Sequence, residues 1–441
     1  MLNSKPFILF LKYVIPSMLG FMAISSASII DGYFIGNYVG SVSLAAINVS
    51  LPMFNILFGF ALMFAVGSSV ITSKLLGESN KEEASNVFSK AFYVIVLISV
   101  SLNLLLYLNL EYILDLLNVK DELRVETLKY LPIILKFMPF LMIGITIDYF
   151  VKVDESPNLS LLALALSSVV NIVLDYTFIV KFDWGISGAA YATGISQMCI
   201  LLVLLPHFFL KKGSLKLIKP KGDLQCIFNA LKNGSSEFIN QSSVGITILI
   251  FNYILLKTFG PLGIASFTII GYFIAISTMA SFAVSNSLQA IISKNYGAQY
   301  FDRMKSFLKL GLVSILGIEI LLTLFVLITP ESLINIFIKD SDIKTKEITI
   351  EFISFAWPTF IFSGLNMLSS SYLTAIQKPL YSGLVAIMRS FIFPITFIFL
   401  LPFIFGNVGI FIAVSCAEIV TFIFALRFFM QTRPSVLAKF I

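Results

Sequence analysis

The sequence predicts an all-α integral membrane protein of twelve spanning helices in two pseudo-symmetric lobes of six. Three observations carry that reading. The first is composition: 58% of the 441 residues are hydrophobic and only 12% are charged, with a mean hydropathy of +0.95. No soluble fold hides that much apolar surface. A bilayer core about 30 Å thick takes roughly 20 apolar residues per helix, so a chain of this length with short loops holds about twelve spans. The second is pattern: the apolar runs are long and unbroken, without the alternation of a barrel strand, and backbone groups in lipid must pair internally. The third is a repeat.

Taken in order, apolar runs between charged or Gly/Pro punctuation place helices near 10–37, 44–75, 86–109, 126–152, 157–181 and 185–210. A second set follows near 230–257, 262–293, 305–329, 349–376, 379–404 and 406–430. The apolar start from Pro6 runs into the first helix without a small-residue cleavage site, so a retained span is expected rather than a signal peptide. Between the sets lies the most basic stretch of the chain, with Lys211, Lys212, Lys216, Lys219 and Lys221. It divides the sequence into an N-lobe over 1–210, a cytoplasmic linker over 211–229 and a C-lobe over 230–441, and a solvated linker near anionic headgroups is expected.

The halves align. Ser73-Lys74-Leu-Leu-Gly77 matches Ser293-Lys294-Asn-Tyr-Gly297, an offset of 220 residues. Pro157 answers to Pro379, and Gly185-Ile-Ser-Gly188 to Gly406-Asn-Val-Gly409, offsets of 222 and 221. An even number of spans per half gives both copies one orientation, related by an axis along the membrane normal with a cleft between them. With both termini in the cytoplasm, that face collects about twenty Lys and Arg against about nine opposite. The net charge of +6 is therefore a topology signal and not a nucleic-acid footprint.

Ionisable groups inside hydrocarbon are costly, so each is a functional candidate. Asp31 lies in the first span and Asp175 in the fifth, within Asn171-Ile-Val-Leu-Asp175-Tyr-Thr-Phe. Asn171 and Asp175 are four apart and share a helix face. Thr193, in the sixth span, adds a hydroxyl from a face of small residues. If Asp31 and Asp175 face one cavity, both cannot ionise cheaply unless a proton or cation intervenes, and oxygen donors suit an alkali cation. Buried structural hydrogen bonding is the alternative. Asp148, Asp154 and Glu155 end the fourth span beside Lys152, a ready partner. Glu237 opens the seventh span as a second coupling or substrate candidate. Glu319 and Glu418 are embedded in the ninth and twelfth, and a pair of Glu418 with Arg389, the one deep basic residue, is a geometric expectation.

Absences narrow the function. The chain has no GxxxxGK[ST], no HExxH and no Ser/His/Asp set, so ATPase or enzyme chemistry has no support. Cys199, Cys226 and Cys416 are widely spaced packing residues. His207, the single histidine, is expected as a polar residue at a membrane edge. The many Phe and the 13 Met suit a greasy cavity, although most such side chains in a membrane protein face lipid.

The segment from Asp31-Gly-Tyr33-Phe-Ile-Gly36 to Asn48, Gly67-Ser-Ser through Gly77-Glu, and the run from Asn171 to Thr193 with Trp184-Gly-Ile-Ser-Gly resemble the multidrug and toxic compound extrusion family, in its bacterial and archaeal DinF-like branch. The resemblance covers essentially the whole chain. It implies the fold of the MOP superfamily, a V-shaped antiporter exporting organic cations or related amphipathic compounds against Na+ or H+ by alternating access, with no other cofactor. It implies a monomer in the cell membrane, partnered by the lipid bilayer and a small-molecule substrate. Asp31, Asn171, Asp175 and Thr193 match the N-lobe cation positions one by one, and Tyr33, Asn48, Gln197 and Glu237 are secondary candidates for coupling or substrate contact. Members that use a C-lobe acid carry it in the tenth span, where this chain has Asn366 and no acid, although Glu237 fits the seventh-span acid of some. A flippase for a lipid or a lipid-linked oligosaccharide is the rival within the superfamily, and it calls for more cationic residues in the cavity than Arg389 offers. A non-transporting receptor or scaffold fits the duplicated halves and intramembrane carboxylates poorly.

Overall fold

Where no water reaches the backbone, a chain satisfies its N–H and C=O groups within each segment, and this one does so with helices throughout. The computed structural model describes residues 1–210, 213–335 and 343–439, so Lys211 and Lys212 of the expected linker lie outside the described residues. Among the described residues, twelve helices are long and apolar enough to cross a membrane. They are α1 Pro6–Val39, α2 Ser41–Gly77, α3 Lys81–Leu108, α4 Asp121–Val153, α5 Pro157–Lys181, α6 Gly185–Phe209, α7 Gln225–Phe259, α8 Pro261–Gly297, α9 Phe301–Ile328, α10 Ile343–Ala375, α11 Pro379–Phe405 and α12 Asn407–Leu437.

All twelve coincide with the expected spans. Most run a few residues further into polar sequence, because capped polar turns extend a helix beyond its apolar stretch. At α3, the Asn80 side chain accepts from the Glu83 N–H at 3.1 Å, and Glu82 and Glu83 complement the helix N-terminus. Proline at the first helical turn opens α5, α8 and α11, where its missing N–H costs nothing.

The repeat is visible in the backbone. Left-handed residues recur in pairs: Gly40 with Gly260, Ser79 with Gln299, Glu155 with Gln377 and Gly185 with Gly406, at offsets of 220, 220, 222 and 221. The turns that end corresponding helices are thus built alike in both halves.

The chain divides into two compact units, Met1 with Leu11–Gly234, and Leu2–Phe10 with Ser235–Ile441. In the first, α2 meets the start of α7 backbone to backbone. A Cβ on Gly67 would lie 1.9 Å from the Ala230 carbonyl oxygen, and one on Gly234 1.9 Å from that of Met63. Helices in lipid gain by such close approach, since lipid is as apolar as leucine. The second unit is cored by aromatic packing, with Phe352 and Phe411 at 4.9 Å and Phe259 and Phe411 at 5.4 Å between ring centres.

The linker is both solvated and anchored. Its lysine side chains 216, 219 and 221 are exposed, but its backbone is docked on α3. Ile218 N–H donates to Ser89 Oγ at 2.8 Å, Lys221 N–H to Asn86 Oδ1 at 2.9 Å, and Lys90 Nζ to the Asp223 carbonyl at 2.6 Å. His207, in the last turn of α6, is half-buried, with Nε2 2.8 Å from Asp154 Oδ2, while Asp154 Oδ1 accepts from the Ser214 and Leu215 N–H groups. Of the acids ending α4, only Asp148 pairs with Lys152, at 2.7 Å; it also accepts from Ser160. Glu155 takes the Met1 ammonium group.

Candidate cation site in the first unit

Two helices carry the aspartates, and one register brings them level. A Cβ on Gly20 of α1 would lie 2.8 Å from Leu164 Cδ1 of α5, and Ile35 of α1 shares a buried cluster with Ile179 of α5. Both pairs are separated by 144 residues, and so are Asp31 and Asp175. Constant offset means parallel helices in step. Asp31 lies one turn before Ile35 and Asp175 one turn before Ile179, each on the face of its isoleucine. Phe34 and Tyr176 pack across the same seam with ring centres 6.4 Å apart. The two carboxylates lie within Coulombic range of each other.

A widened turn follows each aspartate, directly after Asp175 and one turn after Asp31. α1 becomes π-helical over Ile35–Val39 and α5 over Tyr176–Lys181, immediately after Asp175. Such turns offset the helix face and recur at functional positions. α6 supplies the third wall. It contacts α5 at two points, where Phe178 packs on Gly188 and where Ser167 Oγ donates to the Ser196 carbonyl at 2.7 Å. Asn171 and Asp175 on α5 and Thr193 on α6 lie between those points. Ala189, which completes the cluster of Ile35 and Ile179, is one turn from Thr193. Asn171, Asp175 and Thr193 thus lie along the α5–α6 seam, with Asp31 level with Asp175 on the neighbouring α1.

Asp175 is fully buried and Asn171 is 7% exposed. Neither oxygen of Asp175 has a hydrogen-bond partner among the described residues, nor has Asp31 Oδ1 or the Gln197 amide oxygen one turn beyond Thr193. A buried carboxylate without donors holds a bare charge only at great cost. It needs a proton or a cation, and carboxylate, amide and hydroxyl oxygens are what a small alkali cation takes.

Tyr130 is the residue the sequence reading missed. It lies on α4, 9% exposed, in a cluster with Ala46, Ile134, Ile186 and Ala190, within Coulombic range of both Asp31 and Asp175. Its sequence signal is slight, a tyrosine two residues before Pro132, beside Lys129 at the polar start of the fourth span. Among the secondary candidates, Gln197 is half-buried, whereas Tyr33 and Asn48 are exposed.

Glu237 lies in the second unit, buried, within 3.5 Å of Gln289 Nε2, which also reaches Ser371 Oγ at 3.3 Å. The expected pair of Arg389 and Glu418 forms, with Nε 2.9 Å from Oε1 and 3.2 Å from Oε2. Asn366 of α10 donates to Glu418 Oε2 at 2.7 Å. No group of three His, Cys, Asp or Glu able to hold a metal occurs among the described residues.

The sequence profile of the MatE family matches residues 16–177 and 237–400. Relatives include the multidrug export protein MepA of Staphylococcus saprophyticus, 25% identical over 412 residues, covering 92% of this chain and 90% of that protein. MepA of Staphylococcus aureus is 25% identical over 420 residues, covering 94% and 92%. A multidrug resistance MATE family transporter of the MOP superfamily, solved in an outward-facing conformation, superposes with a TM-score of 0.92 at 19% identity, covering 98% of this chain and 97% of that one. A MOP superfamily transporter from Pyrococcus furiosus, described as having a binding pocket of reversed polarity, gives 0.90 at 19% identity, covering 98% and 97%. At these identities the solved structures establish the fold: that of the MATE transporters.

Proposed function

Since the chain belongs to the MatE family, we propose that it is a multidrug efflux antiporter, exporting organic cations or related amphipathic compounds in exchange for Na+ or H+ by alternating access. The observation that carries the coupling is the pair of Asp31 and Asp175, level on adjacent helices, with both oxygens of Asp175 and Oδ1 of Asp31 lacking hydrogen-bond partners among the described residues. Two such carboxylates with Asn171 and Thr193 beside them bind a coupling ion when it is available and repel each other when it is not. That difference is the free energy available to shift a two-state equilibrium, and linkage makes the effect on substrate reciprocal. The export reading draws on the multidrug export proteins at 25% identity over more than 90% of the chain. In this account the six-helix halves are the two lobes, both termini are cytoplasmic, and the monomer works in the cell membrane.

The flippase alternative needs a cationic cavity, and the one deep guanidinium is already bound by Glu418. Purified protein in liposomes, loaded with a fluorescent organic cation, decides between them. Efflux driven by an imposed Na+ or H+ gradient is expected, and the effective gradient names the ion. Absence of cation movement under both gradients overturns the export reading and brings lipid-linked substrates forward.

A further inference from the structure

The second unit holds another buried carboxylate, and its surroundings are made of hydroxyls. Glu319 on α9 is fully buried. Its oxygens accept from two serines of α8, Ser277 Oγ at 2.6 Å to Oε2 and Ser281 Oγ at 2.5 Å to Oε1. The two helices are joined by a short turn and run antiparallel. Their register is set by Ser281 against Glu319 and by Gly311, whose added Cβ would lie 2.4 Å from Leu288 Cδ1. Extending that register by one turn places Ser277 level with Thr323.

Thr323 follows Glu319 by one turn on the same face. It is 5% exposed, and its Oγ1 has no hydrogen-bond partner among the described residues. α10 closes the third side. A Cβ on Gly364 would lie 2.6 Å from both Ser281 Oγ and Ile315 Cγ2 and 3.4 Å from Glu319 Cγ, so only glycine allows this approach.

A buried carboxylate that stays ionised requires a compensating charge, and otherwise it takes up a proton. Among the described residues the basic group within Coulombic range is Arg389, but its guanidinium is bonded to Glu418 and, at 2.5 Å, to Ser363 Oγ. The serine hydroxyls supply hydrogen bonds without charge. While donating to the carboxylate each keeps its oxygen lone pairs, which remain available to a cation. One carboxylate and three hydroxyl oxygens form a hard donor set of low charge, suited to a small monovalent cation and too poor in carboxylates for a divalent one.

We infer that Glu319, Ser277, Ser281 and Thr323 form a sodium-binding site inside the second unit, distinct from the aspartate pair of the first. The site binds the ion whether or not the aspartates couple transport, so the inference goes beyond the antiport reading.

The test is equilibrium binding of radioactive sodium to the purified full-length protein carrying Asp31→Asn and Asp175→Asn. One saturable sodium site is expected to remain in that background. Adding Glu319→Gln removes it. Adding Thr323→Val, which deletes one oxygen at constant shape, weakens it by about five- to tenfold, as the loss of one neutral ligand should. Thermal unfolding in choline chloride checks that each variant is folded, and Thr323→Val decides alone if Glu319→Gln is not. No sodium bound in the aspartate-neutralised background overturns the inference and leaves the aspartate reading intact. Sodium binding there that neither Glu319→Gln nor Thr323→Val changes overturns it as well.

Discussion

Replacing Arg389 by methionine should destabilise the protein severely, and restoring charge balance should recover most of the loss. The guanidinium contacts both Glu418 oxygens, at 2.9 and 3.2 Å, and Ser363 Oγ. The two side chains are only 15% and 9% exposed, so water screens the pair weakly. Arg389→Met leaves Glu418 charged, with Asn366 Nδ2 as its remaining side-chain donor, and takes the guanidinium from the Coulombic neighbourhood of Glu237 and Glu319. Removing one member of a buried pair costs about 3–5 kcal/mol, whereas neutralising both costs far less. For a unit of this size that corresponds to a fall of roughly 6–20 °C in melting temperature. Arg389→Met/Glu418→Gln should recover more than half of it. The assay is a thermal melt in detergent of wild type, both single variants and the double variant, read as a double-mutant cycle. An Arg389→Met melt within about 2 °C of wild type, or a double variant no better than the single, refutes the reasoning.

Gly67→Ala should abolish folding into a monodisperse species on size exclusion, because its Cβ meets the Ala230 carbonyl oxygen at 1.9 Å. Gly271→Ala, with nothing within 4 Å, should be neutral. Releasing the linker with Asn86→Ala and Lys90→Met removes three hydrogen bonds to its backbone, those to Lys221 N, Lys221 O and Asp223 O. Tryptic cleavage at Lys216 and Lys221 should accelerate by about tenfold or more, and an unchanged rate contradicts the docking. Tyr130→Phe should weaken coupling-ion binding in equilibrium titrations while leaving the melt within about 2 °C, since it deletes only a hydroxyl near the aspartates.

The spans were legible because a helix in lipid announces itself over some twenty residues, and the repeat because turns need particular residues at fixed places. Helix ends were less so. α4 begins at Asp121 and α7 at Gln225, both upstream of their apolar runs, because polar turns outside the hydrocarbon continue the helix without a hydropathy signal. Asp31 and Asp175 stood out as charges in apolar sequence, but their widened turns leave no mark in residue type. Tyr130 was hidden since a tyrosine is ordinary at membrane interfaces and only its neighbours make it a site residue. His207 reads as an edge residue, and nothing in the sequence points to Asp154, 53 positions away, as its partner. Lys216, Lys219 and Lys221 point to solvent as their charge demands, while the serines and Asn86 that hold the linker backbone are too common to signal docking.

The central claim is that the Asp31 and Asp175 pair couples ion entry to substrate export. Its most direct test compares gradient-driven efflux with substrate exchange at equilibrium in proteoliposomes, for wild type, Asp31→Asn and Asp175→Asn. Neutralising either carboxylate should abolish uphill efflux while substrate binding and downhill exchange persist. Uphill efflux at wild-type rate in both variants contradicts the account.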